Sequence, residues 1–323
     1  MPARRRLRRW GGRLLLVAFL ALAGTLAWRQ AKTVDWTEVI AILRDYRAST
    51  LAGAAGLAAL SYTLYGFFDV LSRRYVGVQL SNPRTVLIGA VSYAFNLNLG
   101  SIVGGAGFRF RLYSRLGVEH AKIAAMIAFS VATNWIGYLL VAGIVFAVGG
   151  VQFPEGWKAG DGMMRIIGAT MAAASLGYVA ACAFSPRREL SFGERSFTLP
   201  SPAMALRQVA LGASNWMLIA AVVWLLLGRE AGYPTVLSVV CVASIAGALA
   251  HIPGGLGVIE GVFVAMLGWS IGAGATLAVV LAYRAVYYLI PLAVAGVLFV
   301  VLEWLARRGG EQAPAAAGAR LGR

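Results

Sequence analysis

Hydrophobic residues fall into long blocks that are separated by short, arginine-rich segments. Six blocks are long and apolar enough to cross a lipid bilayer as helices, which takes about 20 apolar residues. They cover residues 14–28, 50–71, 123–149, 163–184, 208–228 and 276–305. Pro291 lies inside the last block and predicts a kink there, because proline removes a helical hydrogen bond. The pattern predicts an all-α protein, a polytopic integral membrane helical bundle.

Two further apolar regions, residues 85–108 and 235–269, are interrupted by glycine, proline and polar residues. The interruptions are Asn96, Asn98, Gly100, Gly104, Gly105 and Gly107 in the first region, and His251, Pro253, Gly254, Gly255, Gly257 and Glu260 in the second. A broken helix frees backbone polar groups, and these cannot face lipid. We therefore expect about eight hydrophobic segments, of which two are re-entrant: they enter the membrane and return to the same side.

The charge distribution favours re-entrant segments over full crossings. If both broken regions are re-entrant and the N-terminus is cytoplasmic, most of the 29 Lys and Arg residues lie in the cytoplasm, as the positive-inside rule requires. A full crossing at 85–108 would move the basic groups at 109–122 and 187–207 outside and remove this bias. We expect a multi-pass membrane protein with both termini cytoplasmic.

Composition excludes a soluble protein. Hydrophobic residues make up 59% of the chain and charged residues 13%, against about 45–50% and about 25% in soluble domains. The net charge of +16 gathers at the ends of the apolar blocks, so it predicts contacts with anionic lipid headgroups and none with nucleic acid.

The predicted domain organisation is simple. Residues 1–13 form a basic cytoplasmic segment, 14–305 a single transmembrane domain and 306–323 a disordered cytoplasmic tail. Residues 34–47 predict a short amphipathic helix on the outer surface. Residues 185–207 predict a polar cytoplasmic loop without a fold of its own.

The two breaks share the pattern Gly-Gly-x-Gly, at 104–107 and 254–257, each followed by a charged residue two or three positions later. In the topology above, one break enters from the cytoplasm and the other from the opposite face. Paired, glycine-interrupted segments of this kind indicate an inverted repeat with a binding site near the membrane midplane.

The ionisable residues at membrane depth are the informative ones, since a charge at a helix centre costs about 2.5–3.5 kcal/mol on insertion scales. They are Asp69, Arg109, Glu260 and Arg284. Each of the two arginines offers a planar fork that suits a phosphate, and backbone N–H groups freed at the breaks would add donors. Glu260 is expected to balance an arginine in the empty site and to release it to a headgroup. The predicted headgroup site comprises Arg109, Arg284, Glu260, Asn96, Asn98, His251, Pro253 and Gly104, Gly105, Gly107, Gly254, Gly255 and Gly257.

Each of these residues also has a purely structural interpretation. Arg109 could extend its guanidinium to the cytoplasmic interface. Glu260 and Arg284 could form an ion pair that holds the second broken region against the last span. Asp69 is close to two arginines in sequence and is expected at the interface. The remaining polar residues could serve only the backbone: His251, Asn96 and Asn98.

No catalytic or metal-binding constellation stands out. Cys182 and Cys241 lie inside apolar blocks and read as small buried hydrophobes. The stretch Gly268-Trp-Ser-Ile-Gly272 matches the G-x-S-x-G pattern but lies between membrane segments, where that motif has no strand–turn–helix setting. We expect no enzymatic activity, no cofactor and no bound metal.

Three stretches resemble the membrane region of lysylphosphatidylglycerol synthases and the stand-alone YbhN-like inner-membrane proteins. They are Asn96-Leu-Asn-Leu-Gly100 with Gly104-Gly-Ala-Gly107 and Arg109, then His251-Ile-Pro-Gly-Gly-Leu-Gly-Val-Ile-Glu260, and finally Tyr283-Arg284 with Tyr287, Tyr288 and Pro291. In the two-part synthases this region is understood to move the aminoacylated lipid between leaflets, while a soluble domain attaches the amino acid. The resemblance therefore implies lipid translocation or lipid binding and argues against aminoacyl transfer.

The leading hypothesis is a flippase-like protein of the bacterial inner membrane that moves or holds a phospholipid, expected to be anionic, at a midplane site. A second hypothesis is a non-transporting scaffold that recruits a lipid-synthesis enzyme through residues 185–207. A third is an intramembrane enzyme that uses His251 and Glu260 as acid and base. Oligomeric state has no signal in the sequence.

Overall fold

The computed structural model describes residues 36–149, 161–186, 189–192, 195–250, 252–302 and 304, and this part of the chain is almost entirely helical. The helices are α1 Trp36–Asp45, α2 Ala48–Val76, α3 Asn82–Leu99, α4 Phe108–Arg115, α5 His120–Ala147, α6 Asp161–Phe184, α7 Pro202–Leu226, α8 Tyr233–Ala250, α9 Val258–Ile271 and α10 Ala273–Arg284. Two π-helical turns, Ser101–Gly107 and Ala285–Leu289, and a 3-10 turn, Pro253–Gly255, lie between helices. Two short strands, β1 Glu189–Phe192 and β2 Arg195–Thr198, pair antiparallel.

The predicted spans are confirmed wherever the structure describes them. Five of the six predicted blocks correspond to helices with the length and hydropathy of a membrane span: Ala48–Val76, His120–Ala147, Gly162–Phe184, Pro202–Leu226 and Ala273–Leu302. The sixth, residues 14–28, lies outside the described residues. Tyr233–Ala250, the first arm of the second broken region, also has the length and hydropathy of a span. The chain is a polytopic helical membrane protein.

The first broken region folds back on itself. α3 ends at Gly100, whose φ of 82° is a left-handed conformation that glycine adopts freely. The chain then returns along α3, so that Phe108 stacks on Phe95 with ring centroids 3.7 Å apart. The return is this close because Gly104 has no side chain: an added Cβ would lie 2.0 Å from the Phe95 carbonyl oxygen. We call α3, the first π turn and α4 hairpin 1.

The second broken region also reverses. Gly254, Gly255 and Gly257 all have positive φ, between 59° and 78°, which turns the chain sharply after α8. α9 then packs along α8, where a Cβ added at Gly247 would lie 3.6 Å from the Ile259 side chain. We call α8, the 3-10 turn and α9 hairpin 2.

The two hairpins open at opposite ends of the bundle. Hairpin 1 begins where α2 ends and leads into α5; the chain then crosses three times, in α5, α6 and α7, before hairpin 2 begins. Hydrogen bonds fix both ends. At the hairpin 1 end, the Tyr75 hydroxyl donates to the Thr198 carbonyl oxygen. At the hairpin 2 end, the Tyr46 hydroxyl donates to the Leu226 carbonyl oxygen at 2.8 Å. Burial, with Glu230 nearby, raises the pKa of Tyr46 to about 12, so this donor keeps its proton at neutral pH.

Small residues set the helix spacing in the centre of the bundle. A Cβ added at Gly137 in α5 would lie 2.2 Å from the Gly212 carbonyl carbon in α7, so the two backbones are in direct contact. Close contact between small residues supplies van der Waals packing where no hydrophobic driving force exists between helices in lipid.

Two surface predictions have different outcomes. The amphipathic helix predicted at 34–47 is present as α1, and its Ile42 and Leu43 pack on Leu277 and Ala278 of α10. The prediction that residues 185–207 have no fold is wrong, because they contain the β1–β2 hairpin and the first turn of α7. The strand sequences Glu-Leu-Ser-Phe and Arg-Ser-Phe-Thr carry apolar residues among polar ones, a weak strand signal that the surrounding prolines masked. Residues 1–13 and 306–323 lie outside the described residues.

Candidate functional site

One buried ion pair joins hairpin 1 to α2. Arg109 donates through Nε to both carboxylate oxygens of Asp69, at 3.1 and 3.0 Å. The Tyr113 hydroxyl donates to Asp69 Oδ2 at 2.9 Å, and the Ser130 hydroxyl donates to Oδ1 at 3.1 Å. The exposed fraction is 3% for Arg109 and 1% for Asp69. A buried charge needs a partner and further hydrogen bonds, and this carboxylate has both.

This pair overturns two sequence-based expectations. Arg109 does not extend its guanidinium to the interface, and Asp69 is not an interfacial residue but the buried partner of Arg109. Sequence reasoning named Asp69 but placed it at the interface, because its partner is 40 positions away. A weak signal was present in Gly66 and Gly89, which let α2 and α3 approach beside Asp69: a Cβ added at Gly89 would lie 2.9 Å from the Gly66 Cα.

A second ion pair joins hairpin 2 to the last span. Arg284, at the end of α10, donates through Nε to Glu260 Oε1 and through Nη2 to Glu260 Oε2 at 3.1 Å. Its Nη1 donates to the Gly254 carbonyl oxygen at 2.9 Å, and Nη2 also donates to that of Gly255 at 3.2 Å. The positive φ angles of the turn therefore aim two carbonyl groups at one guanidinium. The predicted pairing of Glu260 with Arg284 is present.

Glu260 has a second partner on its own helix. The Gly257 backbone N–H donates to Glu260 Oε2 at 2.8 Å, at the N-terminus of α9, where a negative charge is favourable. The side chains of this pair are more open than those of the first, at 10% exposed for Arg284 and 16% for Glu260, against 4% for Arg109 and 1% for Asp69. Glu260 could therefore leave Arg284 and keep one hydrogen bond at a partly open position, whereas the Asp69–Arg109 pair is closed off from its surroundings.

The tips of the two hairpins meet. A Cβ added at Gly254 would lie 3.4 Å from the Leu97 carbonyl oxygen and 3.7 Å from Arg284 Nη1. Asn98 donates to the Ala94 carbonyl oxygen at 2.9 Å, a local backbone role, and also to the Tyr288 carbonyl oxygen at 3.3 Å in the last span. We call this contact between the tips, with the Arg284–Glu260 pair beside it, the hairpin junction.

Tyrosine rings lie between the two ion pairs. The Arg109 guanidinium is 5.6 Å from the centroid of Tyr65, which stacks on Tyr93 at 3.7 Å. The Tyr93 ring is 6.4 Å from that of Tyr287, and the Arg284 guanidinium is 5.2 Å from the centroid of Tyr288. The tyrosine cluster comprises Tyr62, Tyr65, Tyr93, Tyr283, Tyr287 and Tyr288. The two arginines pair with different carboxylates, Arg109 with Asp69 and Arg284 with Glu260, and the tyrosine rings lie between the two pairs.

Hydroxyl and amide groups form a buried network inside this cluster. Ser61 donates to Asn215 Oδ1 at 2.7 Å, its hydroxyl is 2.6 Å from that of Tyr287, and the Tyr287 and Tyr93 hydroxyls are 3.2 Å apart. The Nδ2 atom of Asn215 is buried and donates to no acceptor among the described residues. Sequence reasoning missed Ser61 and Asn215, which lie in uniformly apolar blocks and carry no spacing signal.

Pro291 lies two residues beyond a π-helical turn and changes the backbone hydrogen bonds before it. Proline has no N–H, so the carbonyl oxygen of Tyr287, four residues earlier, loses its helical donor. The Tyr62 hydroxyl donates to that oxygen at 2.9 Å. The expected irregularity at Pro291 thus takes the form of the π turn Ala285–Leu289, after which the helix continues to Leu302. Single π turns often lie at functional sites.

The shared Gly-Gly-x-Gly pattern serves two different purposes. At 254–257 the glycines form the turn, whereas at 104–107 they lie in the returning arm, and the turn itself is at Gly100. Gly105 packs against Asn96, and Gly107 is in ordinary contact, with an added Cβ 3.6 Å from the nearest atom. The two motifs are therefore not structurally equivalent. The inverted repeat stays a prediction, supported by the opposite ends of the bundle at which the two hairpins open. Pro253 begins the 3-10 turn, and His251 lies outside the described residues.

Within the described ranges, no group of three or more His, Cys, Asp or Glu side chains could hold a metal ion. Buried side-chain atoms without a partner there are Arg73 Nε, Ser92 Oγ, Arg109 Nη2 and Asn215 Nδ2. Three of these four are donors only, so the buried interior offers free N–H groups to an acceptor.

Comparison with known proteins gives a consistent assignment. The sequence model of the family described as the lysylphosphatidylglycerol synthase TM region matches residues 13–295. The chain is 42% identical over 279 residues to the inner membrane protein YbhN of Escherichia coli K12, covering 86% of this chain and 88% of that protein. It is 30% identical over 276 residues to the uncharacterized protein slr0712 of Synechocystis, covering 84% of this chain and 85% of that protein.

Proposed function

The chain belongs to the lysylphosphatidylglycerol synthase TM region family, and from that premise we propose that it is a flippase-like protein that binds a phospholipid headgroup at the hairpin junction. The acyl chains of the phospholipid would stay in the bilayer while its headgroup passes the junction. The proposal involves no covalent step, no cofactor and no soluble domain.

The observation that carries the proposal is the exchangeable Arg284–Glu260 pair. A guanidinium that already holds a carboxylate in a two-point contact can hold a phosphate in the same way. Glu260 keeps the Gly257 N–H when it leaves, so the exchange abandons no buried charge without a partner. The greater openness of this pair, compared with the Arg109–Asp69 pair, supports it as the point of entry.

The Arg109–Asp69 pair has a different role in this proposal. Three hydrogen bonds on Asp69, from Arg109 and Tyr113, hold hairpin 1 against α2, and Ser130 of α5 donates a fourth. Arg109 Nη2 is buried and has no acceptor among the described residues, so this pair serves the fold and not the entry of the lipid. The tyrosine cluster between the pairs supplies hydroxyl groups that replace water along the way.

The proposal includes the orientation of the protein in the membrane. Arg111, Arg115, Lys122 and Arg207 lie in elements at the hairpin 1 end, so the positive-inside rule assigns this end to the cytoplasm. The hairpin 2 end then belongs to the periplasmic side.

A lipid-movement assay on the purified protein tests this function. The protein is reconstituted into vesicles that contain a fluorescent phospholipid, and a membrane-impermeant reductant destroys fluorophores in the outer leaflet. The wild-type protein should expose inner-leaflet lipid to the reductant. Arg284→Ala and Glu260→Gln should slow this exposure by about tenfold or more, the factor that about 1.4 kcal/mol of lost barrier stabilisation gives.

Arg74→Ala is the matched control, because Arg74 is an exposed arginine near the end of α2, away from the junction. It should leave the rate unchanged. Wild-type rates in both junction variants would remove the pair from the mechanism. A wild-type protein that moves no lipid would favour the scaffold hypothesis, for which the ordered β1–β2 hairpin at the hairpin 1 end offers a surface.

A further inference from the structure

An apolar groove runs between α2 and α7 on the membrane-facing surface, away from the hairpin junction. Its volume is about 410 Å³. Leu60 and Leu64 of α2 line one side, and Met217, Leu218 and Ala221 of α7 line the other. Leu60 and Met217 are 49% and 42% exposed, so the groove opens outward from helices that cross the membrane.

The groove has the length of one lipid leaflet. On α7 it extends from Ser214 to Trp224, which is about 15 Å at about 1.5 Å per residue. One leaflet contributes half of a hydrocarbon core of about 30 Å. Trp224 lies two residues before the end of α7, so the groove begins at the membrane surface of the hairpin 2 end and ends near the midplane.

Aromatic residues and one cation mark the surface end of the groove. Trp224 and Tyr233 both line it, with ring centroids 5.8 Å apart. Each is fixed by a hydrogen bond to a backbone carbonyl oxygen: Trp224 Nε1 donates to Ala231 at 3.0 Å, and the Tyr233 hydroxyl donates to Met217 at 2.8 Å. Tryptophan and tyrosine are the residues that proteins place at the level of lipid headgroups.

Arg229 lies on the exposed turn that ends α7. Its φ of 69° is the one positive value at a non-glycine residue in the described part of the chain, and its N–H caps the helix by donating to the Trp224 carbonyl oxygen at 3.3 Å. The Arg229 guanidinium is 5.1 Å from the centroid of the Trp224 ring. No ion pair to Arg229 is present among the described residues.

We propose that this groove is a binding site for one phospholipid of the leaflet at the hairpin 2 end, with an acyl chain between α2 and α7 and its phosphate on Arg229. An open apolar groove about as long as one leaflet is thick, an aromatic rim and an exposed guanidinium match the three parts of such a lipid: chain, glycerol region and phosphate. The site is independent of lipid movement at the junction, so either proposal can fail without the other.

Native mass spectrometry of the full-length protein in detergent tests the site. The purified protein is stripped of lipid by washing and titrated with phosphatidylglycerol or, as the phosphate-free probe, with diacylglycerol carrying the same chains. The wild-type protein should bind one phosphatidylglycerol about tenfold or more tightly than diacylglycerol, because a charge-assisted hydrogen bond to phosphate is lost in the latter.

Four variants locate the binding. Arg229→Asn removes the charge while tolerating a positive φ, and it should weaken phosphatidylglycerol binding about tenfold or more; Arg229→Lys should retain most of it. Ala221→Phe fills the groove and should abolish the one-to-one complex with both lipids. Ala169→Phe, on the exposed face of α6, is the control and should bind as the wild type does.

Size-exclusion profiles confirm that each variant is folded. If Arg229→Asn binds phosphatidylglycerol as tightly as the wild type, or if Ala169→Phe weakens binding as much as Ala221→Phe, the proposal is overturned. Several weakly bound lipids with no preference for phosphate would mean ordinary bilayer contact and would overturn it equally.

Discussion

At the scale of single residues, the two buried arginines differ in their partners and in their exposure. Arg109 is sealed with Asp69 in a pocket of hydroxyl donors, and Arg284 is held by a carboxylate and two turn carbonyls at a more open position. A buried pair contributes little net stability when it is formed, but the loss of one partner leaves a charge that nothing balances. The two pairs therefore predict different responses to the same kind of substitution.

Asp69→Asn should destabilise the fold by about 3–5 kcal/mol, because Arg109 would keep its charge with no carboxylate nearby. The double variant Asp69→Asn with Arg109→Gln should be more stable than the single variant, since it removes the unbalanced charge. Reversible unfolding in detergent, followed by circular dichroism, measures both. Asp45→Asn, at the exposed end of α1, is the control and should stay within about 0.5 kcal/mol of the wild type. A cost for Asp69→Asn no larger than that of the control would show that the pair does not hold hairpin 1.

At the scale of the helices and hairpins, the sequence revealed where the chain breaks but not how. Gly, Pro and Asn interruptions located both hairpins, because broken backbone inside a membrane must be buried in protein. The roles of individual glycines were not readable, since the same residue type serves tight packing at Gly104 and positive φ at Gly254. Asp69 was misplaced, and Ser61 and Asn215 were missed, for a related reason: their partners lie 40 or more positions away, where no local period or motif reports them.

Hairpin 1 offers a matched pair of glycine substitutions. Gly104→Ala should prevent the return arm from closing on α3, because the new methyl group would lie 2.0 Å from the Phe95 carbonyl oxygen. We expect a loss of at least about 1–3 kcal/mol, as for other overpacked interiors. Gly107→Ala places its methyl group 3.6 Å from the nearest atom and should be neutral or slightly stabilising. Unfolding curves in detergent distinguish the two, and equal stability of both variants would argue against the close return of the chain.

At the scale of the whole molecule, the path of the chain determines where the two hairpins open and where their tips meet. Three crossings between the hairpins put their openings at opposite ends, while their tips meet at Gly254 and Leu97. Five of the six predicted spans, the positions of the two broken regions and the candidate pairing of Glu260 with Arg284 followed from the pattern of apolar, glycine and charged residues. The tyrosine cluster and the groove at Arg229 did not, because both depend on which helix faces which, a property of packing rather than of any one segment.

Labelling of single cysteines from each side of the membrane is the most direct test of whether the two hairpins open on opposite sides. Single cysteines replace exposed residues at the bases of the hairpins: Ser81 and Glu119 for hairpin 1, Gly232 and Ala273 for hairpin 2. Cys182 and Cys241 are buried and should not react. A membrane-impermeant maleimide, applied to intact cells and to inverted membrane vesicles, should modify Ser81→Cys and Glu119→Cys from the cytoplasmic side and Gly232→Cys and Ala273→Cys from the periplasmic side. Labelling of Ser81→Cys and Glu119→Cys from opposite sides would mean that residues 85–108 cross the membrane, and it would contradict the account.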